Sequence, residues 1–389
     1  MAERFDVLIV GGGIAGASLG AGLAAQCSVA IIERESRPGY HATGRSAALF
    51  SELYGNPAIR ALSRASRAFL FDPAPDFCET ALVFPRGALY VARGDQLAAL
   101  ETMAASPGVS AGARLIDGAE ARNRSPLLRP GYAAGGIFEP DARDIDVDAL
   151  HQGYLRQFRA EGGRLLLDTE LRGLDGGGRE WLADTSNGTI AATVVVNAAG
   201  AWAEQVGAMA GAGAIGLTPR RRTALLVDAP DGPAIAASPA TIDIDEQFYF
   251  KPDAGLLLLS PADETPSAAC DARPDEMDIA IAIDRIETAT TLQVRRVRSK
   301  WAGLRSFVDD CRPVVGFDAR RPGFFWLAGQ GGYGIQTAPA MGRLAAALVL
   351  RSAIPAELLD FGVDPVAIGP GRLARRAETS AIGQQQNLS

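Results

Sequence analysis

The 389-residue sequence predicts an α/β fold, a parallel sheet with covering helices, interrupted by segments of a second, mostly antiparallel sheet. Three observations carry that prediction. The stretch VLIVGGGIAGASLGAGLAAQCSVAIIERE (7–35) reads apolar run, glycine turn, small-residue helix and second apolar run ending in acid. TVVVNAAGAW (193–202) repeats a buried strand and small-residue turn, and FFWLAGQGGYGIQTAPAMGRLAAALVL (324–350) repeats strand, glycine turn and helix. GALYVA and QFYFKPDAGLLLLS, lying between these units, look like strands of an antiparallel sheet.

The first turn is the most informative element. Asp6–Val10 forms the strand, and Gly11-Gly12-Gly13-Ile14-Ala15-Gly16 fits G-x-G-x-x-G at the start of a helix. Gly11 permits the tight turn, Gly13 lets backbone approach a pyrophosphate, and Gly16 lets helix and strand pack closely. The helix opened by Ile14 and Ala15 offers free N–H groups and a partial positive charge to phosphates. The second run, Ser28–Ile32, ends in Glu33, where an acid binds a ribose hydroxyl and repels a 2′-phosphate, so NADP is disfavoured. After Glu35 the pattern breaks into RPGYHATGRSAALFSELYG rather than continuing as one block of strand–helix units. Three dispersed turns of this kind suit one large cofactor touched by distant segments, which favours FAD over NAD.

Composition removes other classes. The length allows about two domains, and 48% hydrophobic with 21% charged residues is ordinary for a globular protein. A net charge of −7 and no basic stripe interleaved with aromatics argue against nucleic acid. Cys27, Cys78, Cys270 and Cys311 are scattered and the only histidines are His41 and His151, so neither a metal site nor a disulfide framework is expected. None of the cysteines lies in a recognisable flavin-attachment context, so the FAD is expected to be non-covalent. Val7–Ile32 carries no charge, but six glycines between Gly11 and Gly22 split it, so no transmembrane segment is expected and the localisation is read as cytoplasmic.

GGGIAGAS, ERESRPGYHATGRSAA, DIDVDALHQGYLR, VVNAAGAW, FYFKPDAG, WAGLRSF and GQGGYGIQT together resemble the D-amino-acid oxidase and glycine/sarcosine oxidase superfamily of FAD enzymes. The likeness runs over nearly the whole chain and is greatest to D-arginine dehydrogenase. It implies a Rossmann-like FAD domain interleaved with an α+β substrate domain, and a D-amino acid as the small-molecule partner, the electron acceptor being open. It implies flavin contacts from Glu33 and Arg34, then from His41, Thr43, Arg45, Ser46, Ala47 and Ala48 in the following stretch. Leu171, then Ala199, Gly200 and Trp202, and finally Gly331, Tyr333, Gly334, Ile335 and Gln336 complete that set. The FAD domain is expected from 1–85, 142–219 and 311–370, the substrate domain from 86–141 and 220–310, and a flexible tail from 371–389.

A flavin enzyme must hold a C–H bond against the flavin, and a substrate carboxylate calls for arginine, whose planar fork matches it. TPRRRTALLV offers Arg220, Arg221 and Arg222, with alternation placing Arg220 and Arg222 on one face and Arg221 on the other. Read alone, such a run is a solvated face. The resemblance implies that Arg222 and Arg305 clamp the carboxylate, that Tyr54 and Tyr249 face the substrate, and that the Gly332 carbonyl accepts its amine. His41 is expected to bond the cofactor and His151, inside a helix, to be structural. Ser46–Gly55 reads equally as a mobile lid or an ordered loop.

Leu49, Ala88 and Ile242 would line the side-chain pocket. D-arginine dehydrogenase has a histidine where Leu49 stands and a guanidinium-binding glutamate where Ala88 stands. The departures imply neutral or apolar substrate side chains, since a cation would sit unpaired there, unless Glu52 or Glu79 supplies the charge. A secondary-amine oxidase, a 2-hydroxy-acid dehydrogenase and a non-enzymatic flavoprotein remain as other readings.

Overall fold

The computed structural model describes residues 2–106 and 112–373; the rest of the expected tail, 374–389, lies outside the described residues. An eight-stranded sheet is centred on Glu3–Val10, which pairs in parallel with Val29–Ile32 on one side and Gly188–Asn197 on the other. Arg164–Leu166 extends it beyond Val29–Ile32, and Phe324–Ala328 runs parallel to the end of Gly188–Asn197. All four residues of Val29–Ile32 are buried, as a parallel strand covered on both faces must be. Val314–Phe317 and a hairpin of Leu171–Gly177 with Glu180–Thr185 complete the sheet in antiparallel fashion.

Three helices cover one face: Ile14–Leu23, Val147–Ala160 and Gly334–Val349. Small residues let them approach. A Cβ on Gly342 would lie 2.9 Å from the Ser18 carbonyl carbon, and one on Gly20 would lie 2.9 Å from Ile31. The helix expected around DVDALHQGYLR starts at Asp146, whose carboxylate accepts the Ala149 N–H, and runs to Ala160 before Gly162 turns at φ +87. Among the described residues no helix is long and apolar enough to cross a membrane.

The second sheet has nine strands, and every pairing but one is antiparallel; Ala88–Ala92 runs parallel to Ala240–Asp243. Thr218–Asp228 and Val297–Phe307 form its longest pair. Tyr249–Asp253 and Leu256–Ser260, expected from QFYFKPDAGLLLLS, form a hairpin over Ala254 and Gly255, both at positive φ, the geometry of a two-residue type I′ turn. A three-stranded sheet of Leu49–Phe50, Arg143–Ile145 and Val83–Pro85 lies apart from both. The α/β class with a mostly antiparallel second sheet is therefore present as the sequence predicts.

Candidate active site

The glycine turn forms from backbone constraints that only glycine meets. Gly11 sits at φ +111, where a Cβ would lie 2.5 Å from the Ala198 carbonyl oxygen, and a Cβ on Gly16 would lie 2.0 Å from the Gly11 oxygen. Gly12 N–H donates to Glu33 Oε2 at 2.9 Å and Glu35 N–H donates to Glu33 Oε1 at 3.0 Å, which fixes the carboxylate beside the turn. Ile14 N–H donates to Thr43 Oγ1 at 3.0 Å. His151, buried and with its pKa lowered by that burial, is placed with Nε2 2.9 Å from the Gly12 carbonyl. It is structural, as expected, but it supports the turn itself.

The turn opens on a cavity of about 280 Å³ lined from both sheets. Gly11, Gly13, Ile14, Ala15, Glu33, Arg34, His41, Thr43, Arg45, Ser46 and Ala47 line it from the N-terminal segments. Leu171, Ala199, Gly200, Trp202, Gly331, Gly334 and Ile335 line it from the later ones. Arg34 lies over the Trp202 ring at 4.4 Å and the His41 ring is 4.6 Å from it. His41 Nε2 meets Glu35 at 2.9 Å, while His41 Nδ1 and Gln330 Nε2 are buried without a partner among the described residues. A cradle that no Cβ may fill, a fixed acid at the ribose position and two unpartnered polar atoms fit a long polar dinucleotide.

Four expected cofactor residues stand elsewhere. Gly16 and Tyr333 line neither this cavity nor the one adjoining it: Gly16 packs behind the turn, and Tyr333 lies against Tyr54 and Phe307 with ring centroids 4.8 and 6.3 Å apart. Gln336 points to an adjoining smaller cavity, as does Ala48. Arg45 lines the large cavity, yet its guanidinium donates to the Ala272 and Ala302 carbonyls and pairs with Asp271, so its charge is engaged within the protein.

Arg222 and Arg305 line both cavities where these meet. Their strands are paired with Arg220 opposite Arg305 and Arg222 opposite Gly303, so register puts Arg220, Arg222 and Arg305 on one face. The expected alternation is observed. Arg220 and Arg222 both reach Glu264, at 2.7 and 2.9 Å, while Arg221 turns the other way to Asp278 at 2.6 Å. Arg222 Nε is buried and unpartnered. Arg305 Nη1 donates to the Tyr54 hydroxyl at 3.0 Å, and no carboxylate pairs with Arg305 among the described residues. Burial pushes the Tyr54 phenol up, with Arg305 opposing, so Tyr54 stays neutral and keeps a proton to donate. Gly332 touches both cavities, and a Cβ there would lie 2.8 Å from Arg305 Nη1, so the guanidinium occupies the space that glycine leaves.

The smaller cavity, about 80 Å³, is lined by Leu49, Tyr54, Ile242 and Tyr249, as the sequence led us to expect. Ala88 does not line it. Ala88 is opposite Glu139 in the neighbouring strand, and Tyr90, two residues along on the same face, takes the wall instead. Neither Glu52, which pairs with Arg67, nor Glu79 lines it. Glu246 does, from an exposed position at φ +53, and so does the buried Lys251, whose Nζ donates to Asp144 at 2.7 Å.

Residues 6–348 match the model of the DAO family, described as FAD dependent oxidoreductase. The chain belongs to that family. It is 26% identical to glycine oxidase of Geobacillus kaustophilus over 373 residues, 93% of this chain and 97% of that protein. The crystal structure of the Geobacillus enzyme superposes with a TM-score of 0.77 at 26% identity, covering 90% of this chain and 96% of that one. L-proline dehydrogenase from P. horikoshii shares the fold at a TM-score of 0.79 and 22% identity, over 96% of this chain and 99% of that one. This FAD-dependent oxidoreductase thus has the fold and cofactor that the sequence resemblance implies. When bound, FAD supplies a hydride acceptor, and the residues around the glycine turn are those that would hold it.

Tyr90, Glu246 and Lys251 escape the sequence reading. Lys251 had a signal, being one of only two lysines and two residues from Tyr249 in one strand. Nothing local marks Tyr90 or Glu246, because their approach to the cavity depends on how distant strands pair.

Proposed function

We propose that the enzyme oxidises D-amino acids with neutral or apolar side chains to imino acids, which water hydrolyses to 2-oxo acids and ammonia. The observation that carries this reading is the convergence of Arg222 and Arg305, from strands far apart in sequence, on the junction of the two cavities. In this reading segments 1–85, 142–219 and 311–370 hold the cofactor and segments 86–141 and 220–310 hold the substrate.

Arg305 and the free Arg222 Nε grip the substrate carboxylate, and the Tyr54 hydroxyl, already accepting from Arg305, donates its proton to the same group. Tyr249 lines both cavities and bounds the α-carbon, while the Gly332 carbonyl accepts from the amine. The substrate nitrogen reacts uncharged, its lone pair assisting loss of hydride from the α-carbon, so no strong protein base is required. Arg222, Arg305 and Lys251 line the smaller cavity while the one acid lining it, Glu246, is exposed, which supports the exclusion of cationic side chains.

The second reading, a glycine- or sarcosine-type amine oxidase, is supported by the 26% identity to glycine oxidase over 93% of the chain. Anaerobic mixing with D- and L-amino acids, glycine, sarcosine and 2-hydroxy acids, followed by flavin bleaching, tests both. The proposal expects D-leucine and D-methionine to bleach fastest. Faster bleaching by D-arginine would overturn the side-chain assignment, and faster bleaching by sarcosine or glycine would favour the second reading.

A further inference from the structure

One residue lining the smaller cavity is held in place by a hydrogen-bond network of its own. Tyr90 faces the smaller cavity from the strand Ala88–Ala92, opposite Ile242 on one side and Ile137 on the other, and is 4% exposed. Its hydroxyl lies 3.3 Å from Ser51 Oγ. Ser51 Oγ donates to Glu139 Oε2 at 2.6 Å and accepts the Leu53 N–H at 3.2 Å, while Glu139 Oε1 accepts the Glu52 N–H at 2.8 Å. The Ser51 N–H donates to Gln336 Oε1 at 3.1 Å, tying the group to the helix that follows Tyr333. Ala88, opposite Glu139, is small enough to leave room for this cluster.

We infer that Tyr90 determines substrate specificity: its ring is the end wall of the side-chain pocket and limits side-chain length. This rests on the D-amino-acid reading above and deepens it. Two strands flank the ring, and its hydroxyl is held by Ser51 Oγ, itself bonded to Glu139 and Leu53, so it cannot swing aside to admit a longer substrate without breaking that contact. Its hydroxyl stays neutral, since burial and Glu139 hold the phenol well above its usual range. The wall therefore offers no charge to a side chain that reaches it. Short and medium uncharged side chains fit, and long ones meet the ring whatever their charge.

The test compares wild type with Tyr90→Val, Tyr90→Leu and Tyr90→Phe holoenzymes, with the flavin spectrum confirming a loaded fold. In the first arm the ratio of kcat/KM for D-phenylalanine to that for D-alanine is measured. It should rise at least about tenfold in the Val and Leu variants, mainly through KM, and stay near wild type in the Phe variant. In the second arm acetate and 3-phenylpropanoate are titrated against the oxidised holoenzymes, with Kd read from the flavin absorbance. The affinity ratio should shift towards the larger acid by a similar factor, with no turnover needed. Ratios unmoved by Val and Leu in both arms overturn the wall. A shifted affinity ratio in an enzyme that no D-amino acid bleaches would keep the wall and sink the proposed reaction instead.

Discussion

Replacing Arg305 with methionine is the perturbation with the largest expected effect. A guanidinium and a carboxylate ~4 Å apart at an effective dielectric of ~20 attract by about 4 kcal/mol before desolvation. Arg305 has no carboxylate partner among the described residues, so its charge is available to a substrate, and its removal also strips the Tyr54 hydroxyl of its donor at 3.0 Å. The loss converts to roughly a thousandfold in kcat/KM. Arg222 differs, because Glu264 lies 2.9 Å from its Nη2 and already offsets part of its charge. Arg222→Met should therefore cost less, roughly ten- to a hundredfold. The assay is the rate of anaerobic flavin reduction over a range of D-leucine concentrations, with FAD content and melting temperature measured in parallel. Arg305→Met within tenfold of wild type, or a milder loss than Arg222→Met, would refute the reasoning.

Three further outcomes follow from particular contacts. Gly332→Ala should lower kcat/KM by up to about a hundredfold with little change in melting temperature, because the new Cβ would sit 2.8 Å from Arg305 Nη1 and push the guanidinium aside; an unaltered rate would contradict this. Glu33→Gln removes a charged acceptor of the Gly12 and Glu35 N–H groups and should weaken FAD binding by roughly tenfold in equilibrium dialysis, whereas an unchanged Kd would show that the acid does not face the cofactor. Burial raises the Glu139 carboxyl to about 7 from 4.5. The folded protein thus keeps a proton that the unfolded chain releases, a contribution complete below about pH 4.5 and lost as pH rises through about 7. Relative to Glu139→Gln, wild type should lose about 3 kcal/mol of stability over that window, read as a melting-temperature gap that widens from pH 5 to pH 8. A gap independent of pH would contradict it.

The parts of the site that were legible in the sequence are those with local causes. The glycine turn is written in Gly11 and Gly16, whose missing Cβ atoms the backbone requires, and Glu33 follows at the end of the next strand. The arginine alternation depends only on the two-residue period of a strand, and Glu264 and Asp278 on opposite faces reproduce it. What failed depended on register between distant strands. Whether Ala88 or Tyr90 walls the pocket is decided by the pairing of Ala88–Ala92 with Gly135–Glu139 and Ala240–Asp243, which no local pattern fixes. The loop around Ser51 was equally open in the sequence, since its anchors, Glu139 and Gln336, lie 88 and 285 residues away.

The central claim is that two arginines fix one carboxylate beside the flavin, and removing that carboxylate from the substrate tests it most directly. Under anaerobic conditions D-leucine should bleach the flavin at least a hundredfold faster than 3-methylbutylamine, the same side chain and amine without the acid group. Equal rates for the two would mean that Arg222 and Arg305 take no part in holding the substrate.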